Sequence, residues 1–267
     1  GGGPLPGDIE HPGGEFELGA TPDEPFVFDN EKWAHPVTVA PFAMARAPVT
    51  QGEYVAFVDD GGYTRQQLWD TDGWAWREEA GAEHPVYWRK DADGAWLRRH
   101  ITDWRALEPH LPVIHVNWHE AQAYCRWAGR RLPTEAEWEM AAAGASGAKR
   151  RYPWGDDIPA DGMPANMDWQ TMGCVEVGAY PDGDSDAGCR QMMGNVWEWT
   201  SSVFEPFPAF TLDMYKEYSE PWFHTRKVLR GGTWASRSRM LRNTWRNYFT
   251  PDRRDVFGGF RTCALDS

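Results

Sequence analysis

The side chains best suited to binding a metal or acting as nucleophiles in this 267-residue chain are eight histidines and four cysteines, and their spacing argues against the usual sites. Cys125, Cys174, Cys189 and Cys263 include no CxxC pair, so neither a zinc ribbon nor a thioredoxin-like redox motif is indicated. They read as reduced and mostly buried thiols. His115 and His119 stand four residues apart, a spacing that would put two imidazoles on one helical face. Asn117, however, is followed three residues on by Glu120, the pattern of a helix start, so the helix begins between the two histidines and they do not share a face. His119-Glu120 also lacks the rest of a zinc-protease helix motif. More informative are three blocks that mix glycine, large aromatics and a polar side chain: Gly194-Asn195-Val196-Trp197-Glu198-Trp199-Thr200-Ser201-Ser202, Val228-Leu229-Arg230-Gly231-Gly232-Thr233-Trp234 and Gly259-Phe260-Arg261-Thr262. Ordinary propensity does not favour such mixtures, which points to one particular packed, irregular backbone.

The elements that must position these blocks are legible in part. Phe16 and Leu18 alternate in Gly13–Gly19, and His35–Val39 has a similar pattern, so both predict strands. Thr50-Gln51-Gly52-Glu53, Asn117-Trp118-His119-Glu120 and Thr134-Glu135-Ala136-Glu137 are capping boxes, each predicting a helix. The first should stop at Gly61-Gly62. The second should carry Ala121, Tyr124, Cys125 and Ala128 on one face and stop at Gly129. Between them, Tyr87-Trp88-Arg89 and Ala95-Trp96-Leu97-Arg98 flank the turn Asp91-Ala92-Asp93-Gly94, a predicted hairpin. Beyond residue 145 Pro, Gly and Asp recur every few residues and helical periodicity disappears. The expected class is α+β, loop-rich with few helices, with a flexible segment over 1–11 and one domain over 12–267. Seventeen tryptophans suit loops stitched together by aromatic packing. A net charge of −13 leaves no basic stripe for nucleic acid. No apolar run approaches a membrane span and the start resembles no targeting peptide, so a cytoplasmic location is expected.

With these blocks in place, the chain resembles the sulfatase-modifying-factor family, the formylglycine-generating-enzyme-type variant of the C-type lectin fold. The resemblance covers residues 12–264 and is carried by Asn117–Trp138, Tyr152-Pro153-Trp154-Gly155 and the three glycine–aromatic blocks. The copper oxidase branch of that family uses two cysteines after its Arg-Gly-Gly block, because Cu(I) prefers thiolates. Ser236 and Leu241 stand at those positions, so formylglycine formation is not expected. The segments 207–210, 215–223 and 246–254 resemble instead the ergothioneine synthase branch, iron-dependent sulfoxide synthases in which this domain follows a DinB-like helical bundle; selenoneine synthases share the architecture.

That resemblance implies roles by position. Tyr215 matches the tyrosine that stands beside the iron and supplies a proton and an electron during oxygen activation. Tyr218 and Asn247 match residues that hold trimethylhistidine, where an aromatic face attracts a quaternary ammonium. Tyr248, Phe249 and Arg253 match positions around the thiol substrate. Gln191, the Gly194 and Val196 carbonyls and Glu198 match a calcium site found in parts of the family, though Gln191 replaces the usual Asp or Asn, which favours a structural role for Glu198. The Fe(II) of this branch is held by three histidines of the helical bundle, and residues 1–267 contain no such bundle, so an iron-binding domain is expected as a partner in cis or in trans. The expected substrates are trimethylhistidine, O2 and a thiol or selenium donor. Phe249 stands where some relatives have an acid that pairs with the ammonium of γ-glutamyl-cysteine, so cysteine is the expected donor, with Arg253 available to meet a carboxylate. A selenium donor remains the alternative within this branch, and a non-catalytic lectin-like binding module the alternative outside it.

Overall fold

The computed structural model describes residues 4–144 and 149–265. Its first half contains strands β1 (Asp8–His11), β2 (Gly14–Leu18), β3 (His35–Val39) and β4 (Phe42–Ala45), helices α1 (Gln51–Asp59) and α2 (Thr71–Ala80), and strands β5 (Trp88–Lys90), β6 (Trp96–His100) and β7 (Asp103–Ala106). Helix α3 (Trp118–Trp127), strand β8 (Arg130–Arg131) and helix α4 (Glu135–Ala143) follow. The remainder is loop and short strand: β9 (Trp197–Val203), β10 (Lys227–Arg230), β11 (Asn247–Phe249), β12 (Gly258–Gly259) and β13 (Cys263–Ala264).

Three helices begin where the sequence places capping boxes. The Thr50 hydroxyl accepts from the Glu53 backbone N–H while the Glu53 carboxylate accepts from that of Thr50, and Asn117 with Glu120 and Thr134 with Glu137 do the same. Each box satisfies donors that a helix start leaves free. Helix α2 has no box. It starts at Asp70, whose carboxylate accepts from the Gly73 backbone N–H at 2.7 Å, and it ends at Gly81 in the left-handed conformation. Of the expected flexible segment over 1–11, Asp8–His11 instead form β1, which pairs antiparallel with β4 from Asp8↔Ala45 to His11↔Phe42, while residues 1–3 lie outside the described residues. Isolated polar residues gain order there by completing the edge of an existing sheet.

Two four-stranded sheets, in the orders β1-β4-β13-β8 and β11-β10-β9-β12, are accompanied by the pair β2-β3 and the three-stranded β5-β6-β7. The main core lies between α1, α3 and β9, where Tyr54, Phe57, Tyr63, Trp118, Tyr124, Trp197, Trp199 and Phe260 are buried together. Loops elsewhere are fastened by four buried arginine–glutamate pairs: Arg242 with Glu31, Arg246 with Glu135, Arg230 with Glu139 and Arg261 with Glu198. Glycine is required inside the blocks. Gly194 and Gly231 sit at φ +77° and +95°, and a Cβ there would stand 2.4 Å from the Asn166 carbonyl oxygen and 2.8 Å from that of Met192. No helix among the described residues is long and apolar enough to cross a membrane.

Candidate functional site

Strand β11 is the edge of its sheet, and it carries three of the residues singled out in sequence. Its register against β10 sets Leu229↔Asn247, Val228↔Tyr248 and Lys227↔Phe249. Directly opposed residues of an antiparallel pair share a face and successive ones alternate. Lys227 and Phe249 therefore share one face, and Tyr248 points to the other. The Asn247 side-chain oxygen accepts from the Tyr248 backbone N–H at 2.9 Å, so this N–H is turned away from the β10 ladder. The Asn247 amide nitrogen makes no hydrogen bond to any described residue.

Arg246, immediately before β11, anchors the strand. Its buried guanidinium reaches Glu135 of α4 at 2.9 and 3.0 Å and the carbonyl oxygens of Asn30 and Glu205 at 2.7 and 3.0 Å. Loop 215–223 is tied to the same place by Ser219, which is fully buried; its hydroxyl donates to the Asp29 carboxylate and accepts from the Asn30 side chain at 2.9 Å. Above this anchor the rings of Tyr218 and Phe28 stack with centroids 4.5 Å apart, and Tyr215 and Tyr248 each lie 6.1 Å from Tyr218. The structure thus gathers Tyr215, Tyr218 and Tyr248, whereas Asn247, two residues from Phe249 on β11, lies on the opposite face with Phe249. Sequence reading missed Phe28, Asp29 and Ser219, because no local pattern joins residues some 190 positions apart.

The three phenols differ in environment. Tyr215 is 65% exposed and Met214 beside it is fully exposed, with Phe26, Trp33, Leu212 and Trp222 also open to solvent. Burial pushes the Tyr248 hydroxyl up to about 12 and that of Tyr218, next to Tyr248, higher still, so both stay protonated at neutral pH. The Tyr248 hydroxyl donates to the Tyr218 backbone carbonyl. Tyr248, expected around the thiol substrate, thereby braces the loop and points to the face of β11 away from Phe249. Asp29 is 2% exposed, its Oδ2 has no hydrogen-bond partner, and its charge acts on both Tyr218 and Tyr248.

On the opposite face the Phe249 ring packs against the main core, with the Arg253 guanidinium 5.0 Å from its centroid. Arg253, expected to meet a substrate carboxylate, is engaged through Nε and Nη2 by the exposed Asp255 at 2.6 and 2.7 Å. The free cation on this face is Lys227, half-buried, its ammonium 4.2 Å from the centre of the Trp118 ring. Burial lowers its pKa. Behind Trp118, His119 is 8% exposed, with Nδ1 lacking a hydrogen bond and 3.9 Å from Asp70. His115 lies outside α3 at φ +61°, its Nδ1 3.0 Å from the Arg254 carbonyl oxygen, so the two histidines are not paired.

The expected calcium ligands are already engaged. Arg261 contacts both Glu198 oxygens at 2.6 and 2.7 Å and the Trp138 indole donates to one at 2.7 Å. The Gln191 side-chain oxygen accepts from Asn195, and the Gly194 carbonyl accepts from the Val196 N–H. This is a structural ion pair, and the calcium expectation is corrected. At the two positions where copper thiolates would stand, the Ser236 hydroxyl accepts from the Thr233 N–H and Leu241 is buried among apolar side chains. Among the described residues no group of three or more His, Cys, Asp or Glu side chains could hold a metal ion. Clefts of about 680 and 480 Å³ lie elsewhere, the first against α1 and α3 and the second around Trp169 and Trp234, and neither includes the tyrosines. The candidate site is an open face.

A family model described as a sulfatase-modifying factor enzyme 1-like domain matches residues 3–265. The hercynine oxygenase of Mycolicibacterium thermoresistibile is 47% identical over 247 residues, an alignment covering 90% of this chain and 54% of that protein. The chain thus spans about half the length of that relative. The formylglycine-generating enzyme of Streptomyces coelicolor is 35% identical, with 98% of this chain and 90% of that one covered. Among solved structures, PvdO from Pseudomonas aeruginosa superimposes with a TM-score of 0.66 at 23% identity, over 96% of this chain and 93% of that one, a likeness of fold.

Proposed function

The chain belongs to the sulfatase-modifying factor enzyme 1-like family and has its formylglycine-generating-enzyme-type fold, and from that premise we propose that it is the substrate-binding and tyrosine-bearing portion of a nonheme-iron oxidoreductase. The reaction is the oxygen-dependent joining of cysteine sulfur to hercynine, the trimethylated histidine, in ergothioneine biosynthesis. The observation that carries this reading is the ledge of Tyr215, Tyr218 and Phe28 rings above the buried, unpartnered Asp29 oxygen. Aromatic faces over a buried negative charge favour a quaternary ammonium. The identity to a hercynine oxygenase supports the same substrate.

Tyr215 is the phenol in this group whose hydroxyl is open to an approaching reactant. It holds a proton at Oη that it can deliver to the reacting centre. Iron would supply oxygen activation, and the described residues do not fit it, lacking a ligand set. Under the proposal the ligands belong to an iron-binding domain of the DinB-like type, matching the part of the hercynine oxygenases that this chain does not span. The exposed Phe26, Trp33, Leu212, Met214 and Trp222 around the tyrosines give that domain an apolar surface to cover.

The test is the fate of the thiol in the full-length, iron-loaded gene product carrying Tyr215→Phe. The substitution removes the proton and keeps the ring, so hercynine affinity should hold while the ratio of coupled product to simply oxidised cysteine falls about tenfold or more. An unchanged ratio would remove Tyr215 from the chemistry.

A further inference from the structure

Opposite the tyrosine ledge, β10 and β11 present a second, oppositely charged face. Lys227 and Phe249 are direct cross-strand partners, and both lie against the Trp118 side of the main core. The Lys227 ammonium makes no hydrogen bond or ion pair with any described residue and lies over the Trp118 ring. Asp70, Asp72 and Asp252 act through space on the neighbouring His119 together with Lys227, and no hydrogen bond or ion pair joins any of the three to the ammonium. Asp70, which attracts Lys227 through space, caps α2 through the Gly73 N–H and lies 3.6 Å from Arg126. Arg253, the other cation beside Phe249, is held by Asp255. A half-buried ammonium without an anion is costly to keep, and charge-assisted hydrogen bonding to a carboxylate would offset that cost. Phe249 across the strand pair offers no oxygen to pair with a substrate ammonium, whereas the Lys227 charge attracts a negative group to this face. The Phe249 ring and the Trp118 indole flank the lysine with apolar surface against which a short aliphatic or thiol stem can pack.

We propose that Lys227 is the specificity-determining residue for the thiol substrate, binding its carboxylate beside Phe249 and Trp118. This rests on reading the β11 face as the thiol site of the reaction proposed above. It assigns to Lys227 an anion contact distinct from Arg253, whose guanidinium is engaged by Asp255.

The experiment uses binding to the full chain, without iron or turnover, so that it stands apart from the proposed reaction. The probes are 3-mercaptopropionate, which has the carboxylate and thiol of cysteine without its amine, and cysteamine, which has the amine and thiol without the carboxylate. Mercaptopropionate should protect the Lys227 amine from acylation, read by mass spectrometry on the unmodified protein, and cysteamine should not. Lys227→Met should weaken mercaptopropionate binding about tenfold or more, and Lys227→Arg, which keeps the charge, should retain most of it. Absence of protection in the unmodified chain overturns the assignment, as does a Lys227→Met protein that binds mercaptopropionate normally. Protection without coupling activity in the full-length enzyme would sink the proposed reaction and leave the anion site standing.

Discussion

Glu198, on β9, is 1% exposed and is surrounded by Arg261 and the Trp138 indole. Its role is to neutralise a guanidinium that is itself fully buried and also reaches the Arg190 carbonyl at 2.9 Å. Glu198→Gln would leave that guanidinium without its counter-charge, and breaking a buried pair this way costs about 3–5 kcal/mol. A urea denaturation midpoint should show the loss, and calcium chelation should leave the unmodified protein's midpoint where it was. A Glu198→Gln protein of normal stability would mean that the pair does not hold the last block in place. At this scale the sequence revealed residues whose types are chemically distinctive, Tyr215 and Tyr218 among them, and the rings of those two lie 6.1 Å apart in the structure. It concealed Lys227, Asp29 and Phe28. Their significance lies in cross-strand register and loop contacts, which a one-dimensional spacing cannot express.

Helix α2 and strand β1 show which elements escape sequence reading. Helices α1, α3 and α4 each announce themselves by a capping box, and all three form where expected. Helix α2 opens on Asp70 with no acidic residue three positions on, and Gly73 and two tryptophans interrupt the helical pattern. Only Asp70 and the terminal Gly81 mark it. Strand β1 is polar and short, and it is ordered by pairing with β4. Asp70 carries more than its cap, since it also lies 3.9 Å from the orphaned His119 nitrogen and 3.6 Å from Arg126. Asp70→Ala should lower stability by about 1 kcal/mol through the lost cap. Hydrogen exchange should locate the loss in the first turn of α2. Protection unchanged at Gly73 and Trp74 would show that tertiary packing alone starts the helix.

For the molecule as a whole, the two faces of β11 divide the work. One side offers aromatic rings over a buried carboxylate, the other an unpaired ammonium over a tryptophan. The fold class was legible because capping boxes and glycine–aromatic blocks are local. The open apolar surface around Tyr215 was not, because it appears only once the loops are in place. An exposed tyrosine among exposed apolar side chains fits a site shared with a second domain, and no metal-binding group exists among the described residues. The central claim is that this chain supplies the substrate contacts of a carbon–sulfur bond-forming enzyme. Its most direct test is product analysis by mass spectrometry of the full-length gene product, loaded with Fe(II) and given O2, cysteine and hercynine. The account predicts a product in which cysteine sulfur is joined to the hercynine imidazole. An iron-loaded enzyme that consumes oxygen and oxidises the thiol without ever joining the two would contradict it.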